Sequence, residues 1–189
     1  MAATPIDHSL ADGAARRIPR RSDSRRRLPG VIRPGGTADV RFLRDMLRHA
    51  YYWRSAAPDA PMEDSVQRYV NGWGRPGDAA VIAIERTGPV GAAWYRLFPE
   101  SEAGYGFVDE QTPELSIAVV PSRRGRGYGD ELLVALLAQA RREGFGQISL
   151  SVAADNPALK LYEKHGFRRT GEADGSQTMV ARLGSPETT

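Results

Sequence analysis

A strand, a glycine-rich loop and an amphipathic helix follow one another directly in the second half of the chain. Residues 114–120 are predicted to form the strand, and the loop then leads into a helix from about Asp130 to Arg142. The apolar face of this helix consists of Leu132, Leu133, Leu136, Leu137 and Ala140. Because the first amides of a helix have no partners within it, and the helix dipole favours negative charge there, the unit predicts a phosphate-binding site.

The spacing of the glycines separates this loop from two common phosphate-binding loops. The P-loop requires Gly-Lys-Ser/Thr after its second glycine, and that sequence is missing here. The dinucleotide fingerprint requires G-x-G-x-x-G early in a βαβ unit, whereas this chain has G-x-G-x-G past its midpoint. Three arginines in the loop, Arg123, Arg124 and Arg126, add positive charge. A plain glycine-rich connection is the alternative interpretation.

The other predicted elements alternate between strands and helices, which indicates a mixed α and β fold. The predicted strands cover residues 31–33, 80–86, 90–98, 147–152 and 177–183, with another near 167, and the predicted helices cover 37–50, 63–70 and 157–165. A polar loop occupies residues 99–112. We expect one domain over residues 30–184 and a short C-terminal tail over 185–189.

The positive charge of the chain is concentrated near its start. Residues 1–30 contain seven arginines and three aspartates, within a chain whose net charge is +3. The low apolar content predicts that residues 1–29 form a disordered basic tail. A tail that contacts nucleic acid is the alternative, which we do not favour.

Composition excludes several classes of protein. The chain has no cysteine, which rules out disulfides and thiolate metal sites. No apolar run approaches about 18 residues, so no transmembrane helix is expected. The first 30 residues lack the apolar stretch of a secretory signal, and we expect a cytoplasmic protein. His8, His49 and His165 show no metal-ligand spacing, so no metal site is predicted.

Two segments of the chain resemble the signatures of the GNAT N-acetyltransferases. The first is Q/R-x-x-G-x-G/A, whose fixed positions correspond to Arg124, Gly127 and Gly129. The second, an Asn followed by Leu-Tyr and then Gly-Phe, resembles the stretch from Asn156 to Phe167. Two signatures in the right order, about 30 residues apart, are more specific than either alone. The similarity of pattern extends over roughly residues 31–183.

The resemblance implies an α+β fold with a central mixed, mostly antiparallel, twisted sheet flanked by helices. The sheet of this family splays open between two parallel strands, here 114–120 and 147–152, and acetyl-CoA lies in the opening. The residues that correspond to cofactor contacts are Ile117, Ala118, Val119, Arg124, Gly125, Arg126, Gly127, Tyr128, Gly129, Asp130 and Asn156.

The activity that the resemblance implies is transfer of an acetyl group from acetyl-CoA to an amine, by direct attack in a ternary complex. Tyr162 resembles the family's general acid, which protonates the departing thiolate. Glu114 resembles a glutamate that takes the amine proton, directly or through a water. The amide of Val119 is a candidate for polarising the thioester carbonyl. A core tyrosine and an exposed strand-end acid are the alternative interpretations of the two side chains.

The nature of the amine stays open at this point. The acids Glu100, Glu102, Asp109, Glu110 and Glu114 could attract a cationic amine, or the loop that carries them could be simply solvated. Tyr51, Tyr52 and Trp53 fall where the family has its acceptor wall, although they could equally be core. Ser151 stands where members that acetylate protein N-termini often have a glutamate, which argues mildly against that substrate.

Three further questions are left open by the sequence. The acceptor could be a small molecule or a protein, and a protein-directed enzyme could use its basic tail on nucleic acid. A catalytically silent module that senses acyl-CoA is the alternative from another functional class. Nothing in the sequence tests whether the chain forms a homodimer.

Overall fold

The computed structural model describes residues 31–54 and 61–184. Its strands are β1 (Val31–Gly35), β2 (Ala79–Glu85), β3 (Gly88–Arg96), β4 (Glu114–Val119), β5 (Gln147–Ala153), β6 (Arg168–Ala173) and β7 (Ser176–Arg182). Its α-helices are α1 (Val40–Tyr51), α2 (Asp64–Gln67), α3 (Tyr128–Arg142) and α4 (Leu159–Lys164). The predicted tails, 1–29 and 185–189, lie outside the described residues.

All seven strands form one sheet in the order β1-β2-β3-β4-β5-β7-β6. Every neighbouring pair is antiparallel except β4 and β5, which run parallel. These two strands are paired at a single position, Glu114 opposite Ser149, and separate beyond it. The predicted fold class is therefore confirmed, including the opening between the strands predicted at 114–120 and 147–152.

Helices cover both faces of the sheet. On one face α3 buries Leu132, Leu133 and Leu136 completely, as its apolar periodicity predicts. On the other face α1 packs against β3 and β4 and buries Leu43 and Met46. Complete burial of each such side chain contributes about 1.5–3 kcal/mol. The opening between β4 and β5 is thus held between two packed layers.

The edge strand β1 is longer than predicted. We expected Pro34 and Gly35 to end it, yet both belong to the ladder with β2. A proline is tolerated there because β1 is at the edge of the sheet, where its missing N–H costs no ladder bond. A Cβ on Gly35 would lie 2.8 Å from the Cβ of Ala80, so the glycine allows close approach.

Three helices also differ from the prediction at their ends. Helix α2 is shorter than the predicted 63–70, α4 begins two residues later than predicted, and α3 begins at Tyr128 rather than Asp130. The earlier start of α3 places its first turn directly after Gly127, whose φ of +86° suits glycine and few other residues.

A buried ion pair fixes the end of β3. Arg96 donates from Nε and Nη2 to the two carboxylate oxygens of Asp78, at 2.8 and 2.7 Å. Its Nη1 donates to the carbonyl oxygens of Arg68 and Asn71, at 2.6 and 2.7 Å. Both members of the pair are at most 2% exposed. The bonds tie the segment after α2 to the sheet.

Candidate active site

A cleft of about 750 Å³ opens where β4 and β5 separate. The predicted site residues on its wall are Glu114, Ile117, Ala118, Val119, Arg124, Gly125, Gly127, Tyr128, Gly129, Asn156 and Tyr162. Residues that are far apart in the sequence therefore meet at one opening in the sheet. The structure does not place the remaining two predicted residues, Arg126 and Asp130, on the wall.

The register of β4 decides which of its backbone groups face the opening. The N–H of Val120 donates to the carbonyl oxygen of Val90, at 2.9 Å, in the continuation of the β3–β4 ladder. Along a strand, the backbone N–H and C=O groups of successive residues point alternately to one neighbouring strand and to the other. Those of Ala118 therefore face β3, and those of Ile117 and Val119 face β5. Of the three predicted contact residues of β4, Ile117 and Val119 thus turn their backbone polar groups to the opening, whereas Ala118 lines the cleft but turns its own to β3.

The glycine loop leaves the start of α3 open. Gly125 and Gly127 have φ values of +70° and +86°, the left-handed region that favours glycine. The N-cap residue of α3 is Gly127, which has no side chain to cover the first turn of the helix. Arg124 bends back, with its Nε 3.2 Å from the carbonyl oxygen of Val119. The resulting surface offers backbone amides and positive charge to an anion.

Asp130 faces away from this loop. Its Oδ1 bonds to Nζ of Lys164 and lies 2.8 Å from Nε2 of His165, both at the end of α4. These two bonds lower the pKa of the Asp130 carboxyl. The Asp130 side chain is therefore engaged by α4, and the contact predicted for Asp130, which is that of its backbone amide, stays a prediction.

Glu114 lies at the base of the opening and is 3% exposed. Its Oε1 accepts the phenol O–H of Tyr69 at 2.6 Å and the N–H of Gly106 at 2.8 Å. Its Oε2 has no hydrogen-bond partner in the described part of the chain. Burial raises the pKa of Glu114 to about 7, although Tyr69, Gly106 and the charge of Arg68 act in the opposite direction. The carboxyl is buried, which the strand-end alternative did not predict.

Tyr162 lines the cleft from α4 and is 8% exposed. Its ring packs edge-on against Phe167, with centroids 5.8 Å apart. Burial alone raises the pKa of its phenol, so the group keeps its proton across the neutral range. The side chain is therefore both a core residue and part of the cleft wall.

Four of the five acids expected to attract the amine are not on the cleft wall. Glu102 pairs with Arg75, Glu110 accepts the backbone N–H of Glu100, and Asp109 accepts that of Gln111. The backbone of the loop passes over Glu114, and these side chains bond to other groups of the loop or to Arg75. The idea of an acidic lining is therefore corrected to one buried carboxyl.

The aromatic residues at the cleft differ from those predicted. Tyr51 and Trp53 line it, whereas Tyr52 is not part of the wall and donates its O–H to the carbonyl oxygen of Pro61. Tyr69 and Tyr105 also line the cleft, and sequence reasoning missed both. The sequence signal for a close approach at Tyr105 was the glycine on either side of it. In the structure a Cβ on Gly104 or Gly106 would collide with the Glu114 carboxylate.

Two absences concern only residues 31–54 and 61–184. No group of three or more His, Cys, Asp or Glu side chains is placed to hold a metal ion there. No helix in these segments combines the length and apolar character that crossing a membrane requires.

Comparison with known proteins gives related sequences over part of the chain. A mycothiol acetyltransferase from Thermobispora bispora is 34% identical over 110 residues, which are 57% of this chain and 36% of that protein. A mycothiol acetyltransferase from Corynebacterium glutamicum is 38% identical over 88 residues, or 40% of this chain and 30% of that protein. The chain thus spans about a third of the length of these curated relatives.

Solved structures share the fold over most of the chain. A phosphinothricin acetyltransferase of the GNAT superfamily from Sinorhizobium meliloti, in complex with AcCoA, superposes with a TM-score of 0.61. It is 21% identical, and the match covers 86% of this chain and 93% of that one. The sequence profile of the acetyltransferase (GNAT) family matches residues 41–167, which is well over half of the chain. This chain belongs to the acetyltransferase (GNAT) family.

Proposed function

We propose that this chain is an acetyl-CoA-dependent N-acetyltransferase that transfers an acetyl group to a primary amine by direct attack in a ternary complex. One observation carries the proposal. A buried carboxyl with a pKa of about 7, Glu114, and a protonated buried phenol, Tyr162, line the same opening between β4 and β5. The related structure from Sinorhizobium meliloti, which contains AcCoA, supports the choice of acetyl donor.

The cleft fits acetyl-CoA at three places. The amides of Gly125, Gly127 and Gly129 suit the pyrophosphate, because no Cβ stands between the ligand and the backbone. The N–H and C=O groups of Ile117, which face the opening, suit an amide of the pantetheine arm, whereas the carbonyl of Val119 accepts from Arg124 and leaves only its N–H for the cofactor. On the opposite wall, Oδ1 of Asn156 accepts the Ala158 amide, and its Nδ2 carries donors for a pantetheine carbonyl.

The chemistry follows from the two titratable side chains. A neutral amine attacks the thioester carbonyl, and the amide of Val119 stabilises the oxygen as it gains charge. Glu114 takes the proton that the amine nitrogen loses, directly or through a water. A pKa near the working pH suits this role, since the group must be ionised to accept a proton and basic enough to hold it.

Tyr162 acts at the other end of the broken bond. When the C–S bond breaks, its phenol donates to the sulfur, and the products are the acetylated amine and the free thiol. Its raised pKa keeps the proton in place until negative charge develops on the sulfur. No covalent intermediate on the protein is needed, which agrees with a chain that has no cysteine.

The first experiment measures acetyl-CoA binding by calorimetry and then thiol release against a panel of amines. The wild type should bind acetyl-CoA and release thiol. Glu114→Gln and Tyr162→Phe should bind similarly but turn over about 10²- to 10⁴-fold more slowly, the range for loss of a general base or acid. Glu102→Gln removes an exposed carboxyl outside the cleft and serves as the matched control.

Three results would contradict the proposal in different ways. Binding without thiol release for any amine would favour the acyl-CoA sensor. Absence of binding would remove acetyl-CoA from the function altogether. Full turnover by both Glu114→Gln and Tyr162→Phe would leave the transferase intact but exclude these side chains from its chemistry.

A further inference from the structure

Three tyrosines form a row from the protein surface to the buried carboxyl. The rings of Tyr51 and Tyr105 have centroids 6.5 Å apart and planes inclined by 28°. Tyr105 and Tyr69 have centroids 6.3 Å apart, with planes within 9° of parallel. Tyr69 in turn bonds to Glu114. All four side chains line the cleft, so the row leads from the cleft mouth to the group that we assign as the base.

The outer two rings are accessible. Tyr51 is 42% exposed and Tyr105 is 51% exposed. Leu47 and Val66 are buried on the same wall and extend its apolar surface. An exposed apolar patch that continues into a cleft is typical of a ligand-binding site.

The hydroxyl groups of Tyr69 and Tyr105 already bond within the protein. The phenol of Tyr69 donates to Glu114 and accepts the backbone N–H of Tyr105 at 2.8 Å. The phenol of Tyr105 bonds to Oγ of Ser65 at 3.0 Å. A ligand at this wall therefore meets mainly ring faces and edges, which favour another aromatic ring.

The arginines on the cleft wall already have partners within the protein. The arginines that line it are Arg54, Arg123 and Arg124. Arg54 pairs with Asp155 and lies over the Trp53 ring, 4.7 Å from its centroid. Arg123 pairs with Glu85, and Arg124 bonds back to β4 from the glycine loop. Within residues 31–54 and 61–184, each arginine on the cleft wall already has a partner, so a carboxylate or phosphonate on the acceptor would find no uncommitted guanidinium there.

We propose that the acceptor is an arylalkylamine, a primary amine joined by a short linker to an aromatic ring, without an anionic group. The ring packs against Tyr51 and Tyr105, and the linker brings the nitrogen toward Glu114. That the reacting group is a primary amine rests on the proposed function. That the acceptor carries an aromatic ring rests on the tyrosine row itself.

The test measures acceptor binding to the full chain loaded with CoA, by calorimetry, so that no turnover is required. The probes are phenethylamine, phenylalanine, which adds a carboxylate to the same skeleton, and putrescine, which has no ring. Phenethylamine should bind at least about tenfold more tightly than either of the other two probes. Putrescine has no ring to stack on the tyrosines, and phenylalanine would bury an unpaired carboxylate.

A pair of variants at one position tests the ring directly. Tyr105→Leu should weaken phenethylamine binding about threefold to tenfold, the range expected for loss of one aromatic pair. Tyr105→Phe keeps the ring and should retain at least about half of the affinity. The acetyl-CoA affinity of both variants, measured in parallel, shows that the cleft is still folded.

The outcomes separate this inference from the proposed function. Acetylation of several amines with no preference for phenethylamine would overturn the inference and leave the transferase standing. Equal losses in Tyr105→Phe and Tyr105→Leu would also overturn it, because the bond to Ser65 would then be the cause. Binding of phenethylamine through the ring, without thiol release from acetyl-CoA, would support the inference and contradict the proposed function.

Discussion

The phenol of Tyr69 donates a 2.6 Å hydrogen bond to Oε1 of Glu114 and so connects the segment after α2 to the first residue of β4. Gly106 donates its N–H to the same oxygen, and the loop that contains it passes over the carboxylate. Burial pushes the pKa of Glu114 up, and the bond from Tyr69 is the largest opposing cause. Tyr69 thus lowers the pKa of Glu114, the carboxyl that we propose as the base.

Replacing Tyr69 with Phe should move the acid limb of the pH–rate profile. The lost bond stabilises the ionised form, so the pKa of Glu114 rises in the variant and the limb shifts from about 7 to higher pH. A bond to a charged group is worth about 1.5–3 kcal/mol, which corresponds to roughly one to two pH units. Tyr52→Phe, which removes a phenol bonded to Pro61, is the control. A lower rate at every pH with an unmoved limb would contradict the tuning role.

The same raised pKa makes Glu114 costly for the fold. Its pKa is about 7 in the folded chain and near 4.5 in the unfolded chain, so the folded state holds the proton more tightly. The contribution of Glu114 to the free energy of unfolding is therefore greatest below about pH 4.5. It falls as the pH rises through about 7, by up to about 3 kcal/mol in all.

Glu114→Gln should remove this pH dependence. The free energy of unfolding of the variant should exceed that of the wild type by up to about 3 kcal/mol above pH 7 and converge with it near pH 4. Urea unfolding at both pH values measures the difference. A variant less stable than the wild type above pH 7 would show that the ionised carboxylate stabilises the fold.

The sequence predicted the opening in the sheet and most of its wall because those features are local. The strand before Gly125, the glycines and the helix after them lie within one continuous stretch, and the second signature is equally compact. The family pattern then pointed to Glu114 and Tyr162, and both line the cleft. The resemblance to the GNAT family thus implied the opening and its wall, and each of the two signatures that carry the resemblance is local in the sequence.

The contacts around Glu114 could not be predicted in the same way. Tyr69 is 45 residues away in sequence, and its approach depends on the packing of α2 and on the ion pair at the end of β3. The composition of the polar loop suggested acids facing the substrate, but composition does not tell which way a loop turns its side chains. The tight fit of Gly106 against β5 decides that direction.

A pair of glycine variants on α3 tests the phosphate loop. Gly127 and Gly144 stand at opposite ends of the helix with φ values of +86° and +84°. Alanine at either should cost about 1 kcal/mol of stability, because a Cβ is strained in this region. Only Gly127→Ala should also weaken acetyl-CoA binding, by about tenfold or more, since its Cβ stands where the phosphate approaches. Equal acetyl-CoA affinities in calorimetry would remove Gly127 from the site.

The loop over Glu114 should tolerate no side chain at Gly106. A Cβ there would lie 2.5 Å from the carbonyl carbon of Leu150 and 2.7 Å from the amide nitrogen of Ser151. Gly106→Ala must therefore push the loop away from β5, at a cost of about 1–3 kcal/mol, and displace the donor to Glu114. Turnover should fall more than acetyl-CoA affinity. Gly146→Ala, where a Cβ meets open space, is the control and should match the wild type in both assays.

The last prediction concerns the support behind Tyr69. Arg96→Met keeps most of the side-chain volume but leaves the buried Asp78 carboxylate without its cation, bonded only to the backbone N–H groups of Gly74 and Arg75. It also frees the carbonyl oxygens of Arg68 and Asn71. Breaking a buried pair in this way costs about 3–5 kcal/mol. Urea unfolding should show this loss, whereas Arg75→Met, at an exposed ion pair of 3.9 Å, should change stability by less than about 1 kcal/mol. Equal effects would mean that the ion pair at the end of β3 does not hold this segment in place.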